Sequence, residues 1–225
     1  MGLKSQKLTY TLKAFIIKYI LKAEQNMAEN IIFEKADKIK VFLMDVDGVL
    51  TDGRIFFVPR PDGKGMTETK GFCSLDGIGL RLLNQFGIMT GLITGRVSEA
   101  SVTRAESLGM SCVYQGFVSK LAPLKAIIKE KGFSMENVAY MGDDWTDIPA
   151  MKAAGLAFAP SNARPEAKEA AHYTTGLAGG YGAVREACEI ILRGRGVFEK
   201  CLKQAEEARW PKINRAGIKI ITGAE

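Results

Sequence analysis

A chain of 225 residues has room for one full α/β domain with extensions and little more. Its composition, 47% hydrophobic and 25% charged, is that of an ordinary globular protein and argues against a disordered chain. The net charge of +6 sits at the ends: residues 1–40 and 193–225 each hold eight basic and four acidic side chains, whereas 41–192 holds fifteen basic against seventeen acidic, which argues against a nucleic-acid partner for the central domain.

In chain order, the first feature is the apolar segment Leu8–Leu21, interrupted by Lys13 and Lys18. Its longest unbroken apolar run, Ala14–Ile17, is far short of a membrane span, and no small-residue cleavage site follows. The segment reads as an amphipathic helix packed on the domain or a partner subunit. Peripheral contact with a membrane surface is the alternative, and it is not preferred. We therefore divide the chain into a basic N-terminal extension (1–38), a central domain (39–193) and a basic C-terminal extension (194–225).

From Ile39 onward short apolar runs alternate with helical stretches, the pattern of a parallel sheet wound with helices. Strands are predicted at Val41–Met44, Ile88–Ile93, Ser111–Tyr114, Val138–Met141 and Leu156–Phe158. Helices are predicted at Gly77–Gln85, Ser98–Leu108, Ser119–Lys131, Thr146–Ala154 and Glu166–Ala170. Gly87, Gly109, Gly132 and Gly155 each follow a helical stretch, where a left-handed cap is wanted. Between the first strand and the first helix, the stretch from Arg54 to Phe72 reads as a β-hairpin with a Pro/Gly-rich tip. The fold class is α/β, a Rossmann-like doubly wound parallel sheet with a hairpin insertion after the first strand. Cys73, Cys112, Cys188 and Cys201 lie far apart without a C-x-x-C pair, which argues against a zinc or disulfide framework and fits a reducing, cytoplasmic compartment.

Four segments just beyond predicted strands carry the chemistry, because the carboxyl ends of such a sheet converge on one crevice. Asp45-Val46-Asp47-Gly48 places two acids beyond an apolar strand: Asp45 is suited to attack phosphorus, Asp47 to protonate a leaving oxygen and then activate water. Thr94-Gly95-Arg96 offers a hydroxyl and backbone N–H groups to a phosphoryl oxygen. Lys120 can neutralise a nucleophile and a phosphate. Asp143-Asp144-Trp145-Thr146-Asp147 completes an oxygen-rich shell suited to Mg2+. Each segment alone also reads as an ordinary turn, cap or surface charge; their order on successive strands is what gives them weight. His172, the only histidine, reads as structural.

In that order the segments resemble the haloacid dehalogenase superfamily, with its D-x-D-G-x-[TV], Ser/Thr, Lys and G-D-D-x-x-D motifs. Asp45–Gly53, Lys70-x-Phe72 leading to Asp76-Gly77, Thr94-Gly95-Arg96, Tyr114-Gln115-Gly116 and Gly180-x-Gly182-Ala183-Val184-Arg185-Glu186 are similar to the 3-deoxy-D-manno-octulosonate 8-phosphate phosphatases, over about residues 39–193. The resemblance implies Mg2+-dependent hydrolysis of a sugar-acid phosphate through an aspartyl-phosphate, without a large cap domain. It implies Asp45 as nucleophile, Asp47 as general acid/base whose backbone carbonyl also reaches the metal, Asp143 as a further Mg2+ ligand, and Asp144 and Asp147 as supporting groups. Thr94 and Gly95 then contact the phosphate, Lys120 is the motif lysine, and Arg96 and Arg104 contact the sugar acid. It also implies a homotetramer in which the hairpins form a central barrel. Leu75 stands where the family commonly has Arg, which keeps nine-carbon keto-sugar acid phosphates and other sugar phosphates as alternative substrates. A catalytically silent oligomerisation module is the alternative outside enzymes.

Overall fold

The computed structural model describes residue 27, residues 29–210 and residues 217–223. The helix expected at Leu8–Leu21 lies outside the described residues. Helix α1 covers residues 29–37 and leads through buried Ile39 into strand β1 (Val41–Met44). The hairpin strands β2 (Phe56–Pro59) and β3 (Met66–Thr69) follow, then α2 (Ser74–Gln85), β4 (Met89–Thr94), α3 (Glu99–Leu108) and β5 (Cys112–Gln115). The chain continues through α4 (Leu121–Lys131), β6 (Val138–Met141), α5 (Ile148–Ala153), β7 (Leu156–Ala159), α6 (Pro165–Ala170) and β8 (Tyr173–Thr174). It ends with α7 (Ala183–Gly194), α8 (Phe198–Glu206) and β9 (Lys219–Thr222).

Seven strands form one sheet in the order β8-β7-β6-β1-β4-β5-β9, every neighbouring pair parallel. The architecture is the expected Rossmann-like α/β sheet. Strand β1 shows why: all four of its residues are buried, with Phe42 and Met44 in one apolar cluster and Val41 and Leu43 in the other. A strand covered on both faces loses the in/out alternation of a half-exposed one and reads as a continuous apolar run. The first cluster takes Leu80 and Leu83 of α2, Ala105 of α3 and Val184 and Ile191 of α7; the second takes Leu124 of α4, Met151 of α5 and Ala167 of α6.

The five predicted strands and five predicted helices are all present, displaced by at most a few residues. Two strands were not foreseen. Both lie at the sheet's edges: β8 is two residues long, and β9 draws residues 219–222 alongside β5. Gly87, Gly109 and Gly132 have φ of +76°, +68° and +66°, as left-handed caps require. Gly155 does not. A Cβ there would fall 2.6 Å from the carbonyl oxygen of Glu136, so close backbone approach demands this glycine. No helix among the described residues is long and apolar enough to cross a membrane.

Candidate active site

The predicted groups leave the carboxyl ends of β1, β4, β5 and β6, and those after β1, β5 and β6 bring Asp45, Lys120, Asp143 and Asp147 together. Leaving β1, the chain turns tightly: Leu50 and Thr51 donate their backbone N–H groups to the Val46 carbonyl, and the buried Thr51 hydroxyl also donates to it. The turn leaves Asp45 at its base, with only 8% of its surface exposed. Asp45 Oδ1 accepts the Val46 N–H at 2.7 Å, and Oδ2 accepts Lys120 Nζ at 2.9 Å.

Lys120 sits at the start of α4, is 2% exposed and also donates to Asp147 Oδ1 at 3.0 Å. Burial alone would lower its pKa, but the charges of Asp45 and Asp147 outweigh burial and hold the ammonium above its ordinary value.

The loop after β6 sorts three aspartates that look alike in sequence. Asp147 is wholly buried and saturated: Lys120 and the Tyr140 hydroxyl donate to Oδ1, the latter at 2.8 Å, while the Asp143 and Asp144 N–H groups donate to Oδ2 at 3.2 and 3.3 Å. Asp143 is different, for its Oδ1 is buried with no hydrogen-bond partner. Burial, then the charges of Asp147, Asp45 and Asp144, push the Asp143 carboxyl up to about 8. Burial and Asp147 push Asp45 up to about 6 against the pull of Lys120. Trp145 in the same loop is 62% exposed.

Carboxylate oxygens of Asp45, Asp143 and Asp147 all lie within 4.8 Å of one another. Three carboxylates against one ammonium leave an excess of negative charge in a buried place, which a divalent cation relieves. The orphaned Asp143 Oδ1 and the acceptor-only donor set fit such an ion. Asp45 and Asp143 have oxygens to offer it; the four donors on Asp147 make that residue the brace of the loop. Gly48 makes room, since a Cβ there would lie 2.1 Å from Asp143 Oδ2.

The carboxylate of Asp47 stands outside this cluster. Its Oδ1 meets Lys70 Nζ at 2.5 Å and its Oδ2 lies 3.8 Å from Arg96 Nε. Thr94, 1% exposed at the end of β4, accepts the Arg96 N–H at 3.4 Å, and Gly95 beside it is exposed. Arg96 also reaches Glu68 Oε2 of the hairpin at 3.3 Å. Arg104 is engaged elsewhere, donating to the Cys73 carbonyl at 2.8 Å with its guanidinium 5.5 Å from the Phe72 ring centroid. His172 accepts the Ala157 N–H through Nδ1, a structural use. Lys70 and Glu68 are the site residues that sequence reasoning missed; the only signal was the position of Lys70 in the Lys70-x-Phe72 match.

A family profile of haloacid dehalogenase-like hydrolases matches residues 85–185. The 3-deoxy-D-manno-octulosonate 8-phosphate phosphatase of Escherichia coli is 37% identical over 174 residues, covering 77% of this chain and 90% of the relative. The crystal structure of the Moraxella catarrhalis phosphatase of that name, in complex with a magnesium ion, a phosphate ion and KDO, superposes with a TM-score of 0.74 at 40% identity, covering 78% of this chain and 98% of the other. The cobalt-bound Haemophilus influenzae deoxy-D-mannose-octulosonate 8-phosphate phosphatase gives 0.66 at 34% identity, over 73% and 93% of the two chains.

Proposed function

Because the chain belongs to the 3-deoxy-D-manno-octulosonate 8-phosphate phosphatase family of haloacid dehalogenase-like hydrolases, we propose that it hydrolyses that sugar-acid phosphate to 3-deoxy-D-manno-octulosonate and inorganic phosphate, with Mg2+ as cofactor. The observation that carries the reading is Asp45: a buried carboxylate clamped by Lys120, beside an Asp143 oxygen that has no partner.

Asp45 attacks phosphorus while the bond from phosphorus to the sugar oxygen breaks, and Asp47 gives its proton to the departing alkoxide. Asp47 then takes a proton from the water that attacks the aspartyl-phosphate, which releases phosphate and restores the Asp45 carboxylate. Lys120 keeps the Asp45 carboxylate aimed and offsets charge near it. Thr94 and Gly95 receive phosphoryl oxygens, and Arg96 offers a guanidinium to the sugar acid's carboxylate. Mg2+, held by Asp45, Asp143 and the Asp47 carbonyl, would neutralise phosphate charge and orient it toward the nucleophile.

The exposed apolar hairpin residues Phe56, Phe57, Val58 and Met66 support a homotetramer assembled through these hairpins. Four free cysteines support a cytoplasmic location. The test of function is phosphate release with Mg2+ across sugar phosphates that include eight- and nine-carbon keto-acids. Preferred hydrolysis of the eight-carbon acid is expected, and it should vanish in Asp45→Asn with the circular dichroism spectrum unchanged. Release from none of these substrates would overturn the reading.

A further inference from the structure

Lys70 is a buried cation to which the reaction so far assigns no part. It lies just past β3, with its side chain 0% exposed, and its Nζ is 2.5 Å from Asp47 Oδ1 and 2.9 Å from Glu68 Oε1. An ammonium withdrawn from water is costly unless its partners are fixed around it. These partners come from separate elements: Asp47 from the turn after β1, Glu68 from the hairpin strand β3. Glu68 is held in turn by Arg96 Nη1 at 3.3 Å from its Oε2. The result is a chain of alternating charge that runs from the hairpin into the catalytic turn.

Its effect on Asp47 is directional. Oδ1 is committed to Lys70, whereas among the described residues Oδ2 has as its ion-pair neighbour only the half-exposed Arg96 at 3.8 Å, beyond hydrogen-bond reach. One oxygen is therefore pinned and the other is left to exchange a proton. A carboxyl free to rotate would sample geometries that miss the leaving oxygen, and positioning errors of that kind are expensive in rate.

We propose that Lys70 is a positioning residue for proton transfer: by pinning Oδ1 of Asp47 and being pinned by Glu68, it presents Oδ2 to the leaving oxygen and ties that geometry to the hairpin. The proposal rests on the reading of Asp47 as general acid. A merely structural lysine, anchoring the hairpin, would affect all substrates alike. A positioning lysine would affect only those whose leaving group needs a proton.

The test follows first-turnover release of the leaving group by the full-length protein with Mg2+, comparing p-nitrophenyl phosphate, whose phenolate leaves unprotonated, with the alkyl phosphate the wild type hydrolyses best. In Lys70→Met the alkyl phosphate rate should fall about 100-fold and the p-nitrophenyl phosphate rate by no more than about fivefold, with Lys70→Arg recovering most of the loss. Equal falls with both substrates, or a change confined to KM, would overturn it. Should Lys70→Met fail to fold, Glu68→Gln carries the same comparison, with an expected loss of about tenfold on the alkyl phosphate alone. Asp47→Asn, run alongside, separates the two failures. If it keeps alkyl phosphate turnover, the reading of Asp47 is wrong; if it loses that turnover while Lys70→Met does not, only the role of Lys70 is wrong.

Discussion

Replacing Gly48 by alanine inserts a methyl group where the Asp143 carboxylate already sits. The new Cβ would lie 2.1 Å from Asp143 Oδ2 and 2.6 Å from its Cγ, so the carboxylate must retreat by about 1 Å or more to regain van der Waals distance. The backbone cannot yield instead. The Gly48 carbonyl accepts Asn162 Nδ2 at 3.1 Å, and a Cβ on Gly179 would lie only 1.9 Å from that same oxygen, so another chain segment is packed against the turn. Residue 48 also has φ +92°, a conformation that costs a side-chain-bearing residue about 1–3 kcal/mol. For a chain of this size that lowers Tm by about 2–4 °C per kcal/mol. The larger effect is on chemistry: a misplacement of about 1 Å next to the reacting groups costs about 100-fold in kcat. Gly48→Ala should therefore fold, melt several degrees lower, need more Mg2+ for half-activation and turn over far more slowly at saturation. The assay is phosphate release against Mg2+ concentration, with a thermal melt on the same preparation. Wild-type turnover at the wild-type Mg2+ requirement would refute the claim that the absence of a side chain at Gly48 is what lets the Asp143 carboxylate occupy its place.

Lys120→Met leaves Asp45 and Asp147 facing each other without their shared ammonium, and should cost about 3–5 kcal/mol in urea unfolding together with most activity; an unchanged melt would refute the charge argument. Asp76, wholly buried, accepts the Arg185 N–H at 2.8 Å, and burial pushes its carboxyl from 3.8 up to about 6. The folded chain then binds this proton more tightly than the unfolded chain, so its contribution makes stability fall as pH rises from about 4 to about 6. Ionised Asp76 should cost about 3 kcal/mol at neutral pH, and Asp76→Asn should flatten that slope and raise Tm at pH 7; a variant that melts lower at pH 7 would refute this. Because Asp143 is pushed up to about 8 and Asp45 to about 6, Mg2+ must displace protons to bind, so it should raise Tm more above pH 8 than near pH 6. Equal Mg2+ stabilisation at both pH values would count against these two residues as its ligands.

The centre of the fold was legible in the sequence because its strands are buried on both faces and read as unbroken apolar runs, as in Val41-Phe42-Leu43-Met44. The edges were not. Tyr173–Thr174 is too short for any period to emerge, and Lys219–Thr222 sits in a basic stretch and owes its strand form to pairing with β5. There Gln115 Nε2 donates to Thr222 Oγ1 at 3.1 Å while Gln115 Oε1 accepts the Ser98 N–H, a three-way contact that no local pattern announces. The site divides along the same line. Asp45, Thr94, Lys120 and Asp143 each follow or lie close behind an apolar run, and the parallel sheet alone brings those positions to one edge.

What the sequence could not do was tell like from like. Asp143, Asp144 and Asp147 are chemically identical, and only the count of donors around each one separates them. Asp147 receives four, which uses its charge to brace the loop, whereas Asp143 keeps a buried oxygen with none, which is what a cation can use. Lys70 makes the same point for cations: in the hairpin segment Met66-Thr67-Glu68-Thr69-Lys70 it is indistinguishable from a solvated lysine. Its burial exists only because Asp47 and Glu68 meet there from different elements. Motif spacing thus locates the candidate groups that stand at strand ends, while the side chains that surround them are decided by tertiary contacts.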